Sequence, residues 1–398
     1  MIIQHQPPLH LTYCLNIHPG ESWAENFAAL QDKVLAVKER VAPGQWFGLG
    51  LRIARQAAAE LTARPELRAQ ALAFFHEHQL YPFSINGFPY GQFHAGPVKE
   101  SVYAPDWRSP ARLHYTLELA DLLASWLPIG MDGSISTVPG SFKSWITTDS
   151  DRDAIVDHLA AAVAYLSALH EDTGREIHLG LEPEPACFLE TTAETIDFFE
   201  NHLFTSATTE VARILKCYRS DAEVLVRRHL GVCFDTCHVA LQYEDLATSF
   251  RAYRQAGIRI SKVQISAALQ ARATPESFAA LAPFAEPVYL HQVKARDRSG
   301  APFAWVDLPA ALAEAPLIPD LDTLRVHFHV PLFFTENGPL FSTSNTLTPE
   351  FFRELRSGTS PHLEIETYTF DVLPPGVHPG DLVESIAREY AWLLPHLQ

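Results

Sequence analysis

The sequence predicts an α/β fold in which eight β-then-α units close into a single (β/α)₈ TIM barrel. Strand-like and helix-like segments alternate along all 398 residues. Such alternation is typical of a parallel sheet covered by helices. Polar residues recur where the strand-like segments end, which is where barrel enzymes build their sites. With 47% hydrophobic and 19% charged residues, the chain can bury a large core and does not have the composition of a disordered protein.

Each predicted strand is a short run rich in aliphatic and aromatic residues, and each precedes a segment with helical periodicity. In order, the strands are LTYCLNIH, FGLGLRI, LYPFSINGF, GSISTV, IHLGLEPEP, LGVCFDTCH, IRISKVQIS and HLEIETYTF. The helices are predicted at about 22–41, up to 78, at 110–126, at 151–171, in a split region up to 229, at 244–256 and at 379–394. The long loop 89–107 is rich in glycine, proline and aromatic residues, and it is interpreted as a lid over a ligand.

One stretch, from about 286 to 356, exceeds what eight units require. It contains two further strand-like runs, VYLHQV and TLRVHFHVPLFF, and we interpret it as an insertion between strands seven and eight. No Gly/Ser-rich linker or internal repeat divides the chain. The sequence therefore predicts one domain over 1–398, with 286–356 inserted within it.

Composition also narrows the class of function. A formal net charge of −17 repels phosphate backbones and argues against nucleic-acid binding. The five cysteines form no CxxC pair, so we interpret them as reduced thiols. The N-terminus lacks a basic region followed by an apolar run, and no stretch approaches the roughly 18 apolar residues of a membrane span. We expect a cytoplasmic protein without membrane insertion.

Alternation along the strands predicts which side chains enter the barrel. In strand five, Ile177, Leu179 and Leu181 form the apolar face toward the helices, which leaves Glu182 and Glu184 on the inner face. The same register applied to the other strands places acids, amides, a histidine and an arginine inside. The inner residues near the strand ends are Asn16, His18, Arg52, Glu182, Glu184, Asp235, Gln264 and Glu366.

Three of these residues, Glu182, Asp235 and Glu366, are carboxylates from strands five, six and eight. They would repel one another in one barrel mouth unless a positive group lay among them. A divalent cation such as Mn²⁺, Zn²⁺ or Mg²⁺ is the simplest such group, because hard cations take oxygen ligands. The alternative is that the acids pair with Arg52, Lys143 or Lys262. A further metal ligand is left open between Gln264 on strand seven and two histidines of the insertion, His291 and His329.

Other residues are candidates for binding the substrate. His238 follows Asp235 in the pattern D-T-C-H, so one residue can bind metal while the other contacts substrate. Glu184 is a candidate acid or base or a supporting group, and Lys143 a candidate for an anionic group. His327 and His329 share one face of a strand, which predicts either a second polar wall or a solvated face. The predicted substrate-binding residues are Asn16, His18, Arg52, Asn86, Tyr90, His94, Lys143 and Glu184.

The order of Glu182, the Asp235-to-His238 motif and Glu366 along the chain resembles the xylose isomerase-like barrels, which include sugar phosphate isomerases and epimerases. In the epimerases, the acids on strands five and eight bind metal and exchange protons with substrate. The resemblance implies that Glu182 and Glu366 do so here, that Asp235 is a metal ligand and that His238 contacts substrate. Gln264 stands where the family has a histidine ligand, which is a departure.

A second resemblance covers nearly the whole chain. The segments TYCLNIHPGESW, INGFPYGQFH, VKESVYAPDW, LEPEPACFLE, CFDTCHVA, YLHQV, VHFHVPLF and LEIETYTFDVLP are similar to EboE-like metabolite traffic proteins of bacterial secondary-metabolite operons. This resemblance implies a cytoplasmic protein that handles a small polar metabolite and works with other proteins of the operon. It implies no particular reaction.

Three functions remain open at this point. The first is a metal-dependent isomerase or epimerase, in which Glu182, Glu366 and His238 are catalytic. The second is a non-catalytic carrier of a metabolite in an export system, and the chain would then not be an enzyme. The third is metal-dependent phosphoester hydrolysis, which needs a metal cluster with several histidines.

Overall fold

The structure, a computed structural model, describes residues 1–94, 96–374 and 380–398 and confirms the predicted (β/α)₈ barrel. Eight strands in this part of the chain lie side by side in sequence order, and all their mutual pairings are parallel. The barrel strands one to eight are Pro8–Tyr13, Phe47–Arg52, Leu80–Asn86, Gly133–Thr137, Ile177–Leu181, Leu230–Asp235, Arg259–Ile265 and His362–Ile365. A short strand, Ile2–His5, pairs antiparallel with strand one.

The barrel closes where strand one meets strand two. A parallel bridge joins Cys14 to Gly50 and completes the ring. Nearly every strand residue is buried, because helices cover the outside and side chains fill the interior. A Cβ atom on Gly50 would lie 1.8 Å from Oε1 of Glu364, so only glycine leaves room for that carboxylate.

Helices follow the strands around the outside of the barrel. Three of them begin at a capping box, in which Ser22, Thr148 and Thr191 accept from the backbone three residues on. The described α-helices around the barrel are Trp23–Ala29, Leu35–Val41, Arg55–Ala63, Pro65–Glu77, Pro110–Trp126, Asp149–Thr173, Thr192–Phe198, Thr208–Leu215, Arg219–His229, Thr236–Leu241, Leu246–Gln255, Pro349–Arg356 and Leu382–Leu397. The helix Pro349–Arg356 lies within the predicted insertion, 286–356, but it packs against the barrel helices Leu246–Gln255 and Leu382–Leu397. Two π-helical turns, Leu30–Val34 and Phe199–Ala207, join neighbouring helices.

Small differences from the predicted boundaries matter for the site. Strand one ends at Tyr13 rather than His18, and a 3₁₀ turn, Leu15–Ile17, carries Asn16 over the mouth. A helix begins directly after strand six, so His238 lies in its first turn. The last helix begins at Leu382, and the predicted start at Pro379 lies outside the described residues.

The insertion between strands seven and eight forms a second, antiparallel sheet. Within the described ranges it has six strands, in the spatial order Pro302–Trp305, Val293–Asp297, Leu321–His329, Ala268–Arg272, Leu340–Ser342 and Glu336–Asn337. Helices Pro275–Leu281 and Leu308–Glu314 accompany it. The sheet starts at Ala268, ahead of the predicted 286. Only the last residue of the run VYLHQV is in a strand.

The inserted sheet lies against the mouth of the barrel. Its central strand, Leu321–His329, ends there: Val330 N donates to Ala267 O at 2.9 Å, and His329 contacts the backbone of Glu366. The register of this strand against Ala268–Arg272 shifts between Val326 and His329. The insertion therefore forms one wall of the cavity above the strand ends.

Among the described helices, none is both long enough and apolar enough to cross a bilayer.

Candidate metal centre

The three predicted acids converge at the barrel mouth. One carboxylate oxygen from each of Glu182, Asp235 and Glu366 lies within 4.8 Å of the others, and all three residues are buried. Glu182 and Glu366 follow the last residues of strands five and eight, and Asp235 ends strand six. Parallel strands deliver their C-terminal ends to one rim, so residues far apart in sequence meet here.

The cations that could have neutralised these acids are engaged elsewhere. Arg52 donates to the carbonyls of Gly20 and Gly91 and pairs with Glu21. Lys143 pairs with Glu190 and Glu194, and buried Lys262 pairs with Glu364. Within the described ranges, none of the three forms an ion pair with an acid of the cluster. The alternative predicted from the sequence, in which these cations pair with the acids, is therefore wrong.

Burial and mutual repulsion set the protonation of the cluster. Burial, with the charge of Asp235, raises the pKa of Glu182 well above its usual range, and burial with the charge of Glu182 does the same for Glu366. Burial opposes ionisation of Asp235, but His238, His329 and a hydrogen bond from Ser266 lower its pKa. Without a cation, burial and mutual repulsion therefore favour the protonated form of the two glutamates.

Asp235 is held by one oxygen and leaves the other free. Its Oδ1 accepts from the backbone N of His238 at 3.0 Å, which caps the helix Thr236–Leu241, and from Ser266 Oγ at 2.7 Å. Its buried Oδ2 has no hydrogen-bond partner in the described part of the chain. A fixed carboxylate with one unused oxygen is suited to a metal ligand, because its orientation is set before the ion arrives.

Each of the two glutamates shows one part of this pattern. Glu366 Oε1 accepts from Asn16 Nδ2 at 2.7 Å and from Asn86 Nδ2 at 3.2 Å. The buried Oε2 of Glu182 lacks a partner among the described residues. Unsatisfied buried oxygens are costly and call for an explanation. A divalent cation bound by these oxygens would satisfy them.

His329 supplies an imidazole at the same centre. Its Nδ1 contacts the carbonyl oxygen of Glu366 at 2.8 Å, which places the proton on Nδ1 and leaves Nε2 as an acceptor. Nε2 is buried and has no hydrogen-bond partner within the described residues. His329, Asp235 and His238 each offer one possible metal-ligand atom, and these three atoms lie within 4.8 Å of one another. A backbone carbonyl that orients a histidine in this way is common at metal sites. The three acids could hold a divalent cation, and His329, which is grouped with Asp235, could add a nitrogen ligand on the Asp235 side.

The other two predicted ligands lie in different surroundings. Gln264 Oε1 accepts from the thiol of Cys233 at 2.8 Å, so its metal-binding atom faces the barrel interior. His291 Nδ1 contacts the carbonyl of His327, and its Nε2 contacts Glu286 Oε1 at 2.8 Å. Both ring nitrogens of His291 are engaged, so the geometry does not support it as a ligand. Of the three open candidates, the structure brings only His329 to the acids.

A second cluster lies beside the first. Glu184, His238 and His327 each offer a donor atom within 4.8 Å of the other two. His238 Nε2 lies 3.1 Å from His327 Nε2, and Tyr103 OH donates to Glu184 Oε1 at 2.6 Å. Burial lowers the pKa of His238 to about 4 and that of His327 well below its usual value, and it raises the pKa of Glu184 to about 8.

Both clusters face one cavity of about 60 Å³. Asn16, Asn86 and Glu184, three of the predicted substrate-binding residues, line it together with Glu182, His238, His327, His329 and Glu366. The remaining walls are mostly apolar or aromatic. They are formed by Phe88, Pro89, Phe93, Val98, Lys99, Val102, Tyr103, Tyr289, Leu290 and Tyr368. Part of the predicted lid loop, 89–107, therefore does cover the site.

The other predicted substrate-binding residues do not line this cavity. His18 Nε2 contacts Tyr13 OH at 2.8 Å, and Tyr90 packs on Tyr115 outside the cavity. His94 lies one layer behind the wall, where its ring nitrogens contact Asn16 O and Tyr289 OH. Arg52 and Lys143 are engaged as described above. For these five positions the sequence placed the residue in a strand or loop near the mouth, but it did not predict the direction of the side chain.

Sequence reasoning missed three residues that shape the site. Gln292 and Tyr289 lie in a loop and Tyr103 ends a short 3₁₀ turn, Lys99–Tyr103, so no periodicity predicts the direction of these side chains. Gln292 Nε2 donates to Tyr103 OH at 2.8 Å and to Pro185 O at 3.0 Å, and thereby ties the insertion to the barrel. Their only sequence signal was their presence in aromatic or histidine-containing loop segments.

The chain matches no protein-family model, and it matches no curated protein sequence. Two similar solved structures are the IolI protein with a bound zinc atom and a xylose isomerase-like TIM barrel protein from Mycobacterium smegmatis in complex with magnesium. The first is 12% identical with a TM-score of 0.48, and the alignment covers 98% of both chains. The second is 11% identical with a TM-score of 0.49, covering 98% of this chain and 96% of the other. Similarity at this level carries no information about activity.

Proposed function

We propose that the protein is a metal-dependent isomerase or epimerase acting on a small compound with a carbonyl beside a hydroxyl-bearing carbon. The observation that carries the proposal is the group of three buried carboxylates, Glu182, Asp235 and Glu366, which meet at the barrel mouth and form no ion pair with a lysine or arginine among the described residues. Perturbed, uncompensated acids in a cleft are typical of catalytic sites.

Glu182, Asp235, Glu366 and His329 would hold the metal ion. When bound, the ion supplies positive charge that stabilises an oxygen anion next to the carbon that loses its proton. Asp235 and His329 are each fixed through one atom, so they act as ligands that do not move. Asn16 and Asn86 keep one oxygen of Glu366 in place beside the substrate.

The two glutamates would move the proton. One removes it from the carbon next to the carbonyl, which leaves an enediolate, and the other returns a proton to the opposite face or to the neighbouring carbon. Return to the opposite face gives an epimer, and return to the neighbouring carbon gives an isomer. Burial raises the pKa of both glutamates, which brings it nearer to neutral pH and suits general acid–base catalysis. His238 would contact a substrate hydroxyl.

The cavity walls favour a substrate without a phosphate group. Among the described lining residues, Lys99 is the single lysine or arginine, and it pairs with Asp307 at 2.7 Å. Phe88, Tyr289 and Tyr368 present aromatic surface instead. A polyhydroxylated carbonyl compound can place its carbon face on these rings and its oxygens toward the acids.

The test is exchange of a substrate proton with solvent. Unphosphorylated ketoses and short hydroxy-keto acids are incubated in D₂O with the protein and Mn²⁺, Zn²⁺ or Mg²⁺, and NMR follows deuterium incorporation next to the carbonyl. We expect exchange with the wild type, and a loss of about 10²–10⁴-fold in Glu182→Gln and Glu366→Gln. Arg64→Ala, which changes an exposed residue, is the control and should retain the wild-type rate.

Two results would overturn the proposal. Exchange that survives both glutamine variants would show that these acids do not move the proton. Tight binding of a compound with no exchange and no turnover would favour the alternative function, a metabolite carrier.

The cellular setting is also part of this proposal. Similarity of the quoted segments to EboE-like proteins supports a cytoplasmic role in secondary-metabolite traffic with partner proteins of the same operon.

A second candidate function is metal-dependent phosphoester hydrolysis. It is favoured by one observation, the convergence of His238, His327 and His329 beside the acids. Such a cluster is the histidine-rich metal environment that this chemistry requires. Release of phosphate from p-nitrophenyl phosphate in the presence of Zn²⁺, lost in His329→Gln, would support it over isomerisation.

A further inference from the structure

We propose that the cavity holds a second divalent cation, bound by Glu184, His238 and His327, next to the ion assigned to Glu182, Asp235, Glu366 and His329. The inference concerns metal binding and does not depend on which reaction the protein catalyses. It rests on how the hydrogen bonds fix the proton positions of two facing histidines.

Gln292 fixes the proton of His327. The amide nitrogen of Gln292 donates to the carbonyl of Pro185 at 3.0 Å, and a carbonyl can only accept. The amide oxygen of Gln292 must therefore be the atom that faces His327 Nδ1 at 2.7 Å. Because that oxygen also accepts, His327 Nδ1 carries a proton.

The main chain fixes the proton of His238 in the same way. Its Nδ1 faces the carbonyl oxygen of Pro183 at 3.1 Å, so Nδ1 must donate. The nearest carboxylate oxygen to this nitrogen, Glu182 Oε1, lies 4.0 Å away and is likewise an acceptor. A neutral His238 thus has its lone pair on Nε2.

The consequence is a mismatch at the contact between the two rings. His238 Nε2 and His327 Nε2 lie 3.1 Å apart, and each presents a lone pair with no proton between them. Two acceptors do not attract each other at this distance, so something positive belongs there. Both rings are buried in the cavity wall, where solvent cannot relieve the mismatch.

A metal ion resolves the mismatch with the observed geometry. With metal–nitrogen bonds of about 2.05 Å, nitrogens at this separation subtend an angle of about 98° at the ion, which lies in the range of tetrahedral to octahedral sites. The two rings are nearly perpendicular, with an interplanar angle of 86°, so both nitrogens can face one point. The pair is therefore arranged as two ligands of one ion.

Glu184 completes the set. It is buried on the same cavity, and one of its oxygens lies within 4.8 Å of a nitrogen of each histidine. Its Oε1 lies 3.4 Å from the protonated Nδ1 of His327, which leaves Oε2 as the oxygen available to the ion. Tyr103 donates to its Oε1 and fixes its orientation, as expected for a ligand with an outer partner. Two imidazoles and one carboxylate form a common protein ligand set for a catalytic divalent ion, with further positions left for water or substrate.

The test is the number of Zn²⁺ ions bound by the full chain. Protein stripped with a chelator is titrated with Zn²⁺ by calorimetry at neutral pH, and the metal content is measured after gel filtration. We expect two equivalents in the wild type and one in His327→Gln. Asp235→Asn should lose the other ion, and the double variant should bind none. Glu184→Gln should weaken the second ion by about 10–100-fold or more.

The matched control is His229→Gln. His229 is equally buried, with Nδ1 on the carbonyl of Ile177 and Nε2 unpartnered within the described residues, but it lies outside both clusters. It should retain two equivalents. Circular dichroism and thermal unfolding check that each variant is folded, and Glu184→Gln tests the site independently if His327→Gln does not fold.

Each outcome decides the inference. One equivalent in the wild type that persists in His327→Gln overturns the second site, leaves the first intact, and shows that the two histidines share a proton instead. One equivalent that is lost in both His327→Gln and Asp235→Asn also overturns it, because one ion then spans both clusters. No binding in the wild type rejects both sites. Failure of the isomerase activity with two ions bound would leave the inference standing.

Discussion

Glu364 and Glu366 lie two residues apart on the inner face of the last barrel segment, yet their surroundings are opposite. Glu364 lies deeper in the barrel and forms a buried ion pair with Lys262, which also donates to Ser84 at 3.3 Å. Glu366 lies at the mouth beside Glu182 and Asp235, and its partners are the neutral amides of Asn16 and Asn86.

The comparison extends to the two ends of the barrel interior. At the closed end Asp132 pairs with Arg259 and with His178, so each described acid there has a positive partner. At the mouth, the described acids and imidazoles lie close together, and no lysine or arginine forms an ion pair with them. Buried charges are tolerated when paired, and uncompensated ones persist where they serve a ligand. The difference separates residues that support the fold from residues that support the site.

The largest expected effect tests this separation through stability. Glu364→Gln leaves Lys262 buried without its counter-charge, so we expect the free energy of unfolding to fall by about 3–5 kcal/mol. Glu366→Gln replaces a carboxyl that pairs with no lysine or arginine in the described residues by a group of the same shape that still accepts from Asn16 and Asn86. Its change should stay within about 1 kcal/mol. Urea unfolding at pH 7, with a chelator present, measures both.

The design contains its own control, because the two substitutions are chemically identical and two residues apart. A similar large loss in both variants would mean that Glu366 has a positive partner in the metal-free protein. A negligible loss in Glu364→Gln would mean that Lys262 gives up its proton at little cost. Either result would remove the contrast between the two ends.

The contrast also explains what could be predicted from the sequence. The alternation of apolar residues along strands five to eight sets the register, and the register brings Glu182, Asp235 and Glu366 to one rim. Both the barrel and the meeting of the acids were therefore predictable, since both follow from a two-residue period.

The imidazole half of the site was less predictable. His327 and His329 could be assigned to one face of a strand, but not to the cavity, because their direction depends on the register shift next to Ala268 and on contacts with Gln292 and the Glu366 backbone. His291 lies in the same insertion and turns to Glu286 instead. Nothing local in the sequence distinguishes the three histidines. Contacts distant in sequence decide their roles.

Another effect concerns pH. Burial raises the pKa of Glu184 to about 8 in the folded protein from an ordinary 4.5. The folded state therefore holds this proton more tightly than the unfolded chain does. The resulting stability is fully present below pH 4.5 and is lost as the pH rises toward 8. In metal-free protein, the unfolding free energy of the wild type should fall relative to Glu184→Gln by up to about 1.4 kcal/mol per pH unit in this window.

Urea unfolding of both proteins at several pH values between 4.5 and 8 measures the difference, which cancels the titration of groups common to both. Parallel curves would show that Glu184 keeps an ordinary pKa in the folded protein. Glu184 would then not belong to the acids at the mouth that lack a positive partner. Asp132 at the closed end should show no such window, because hydrogen bonds from His178 and His362 lower its pKa despite its burial.

The smallest expected effect concerns Lys143, the cation nearest to strand four that the sequence assigned to substrate binding. Its side chain is 43% exposed and pairs with Glu190 and Glu194 on the outside of the cavity wall. Exposed pairs contribute little, so Lys143→Ala should change the unfolding free energy by less than about 1 kcal/mol. Glu190 keeps Lys294 as a second partner, which limits the loss further. Zn²⁺ stoichiometry should be unchanged, because neither cluster contacts this lysine. A loss of bound metal in Lys143→Ala would show that its charge does act on the mouth, and the acids would then be partly compensated by a cation after all.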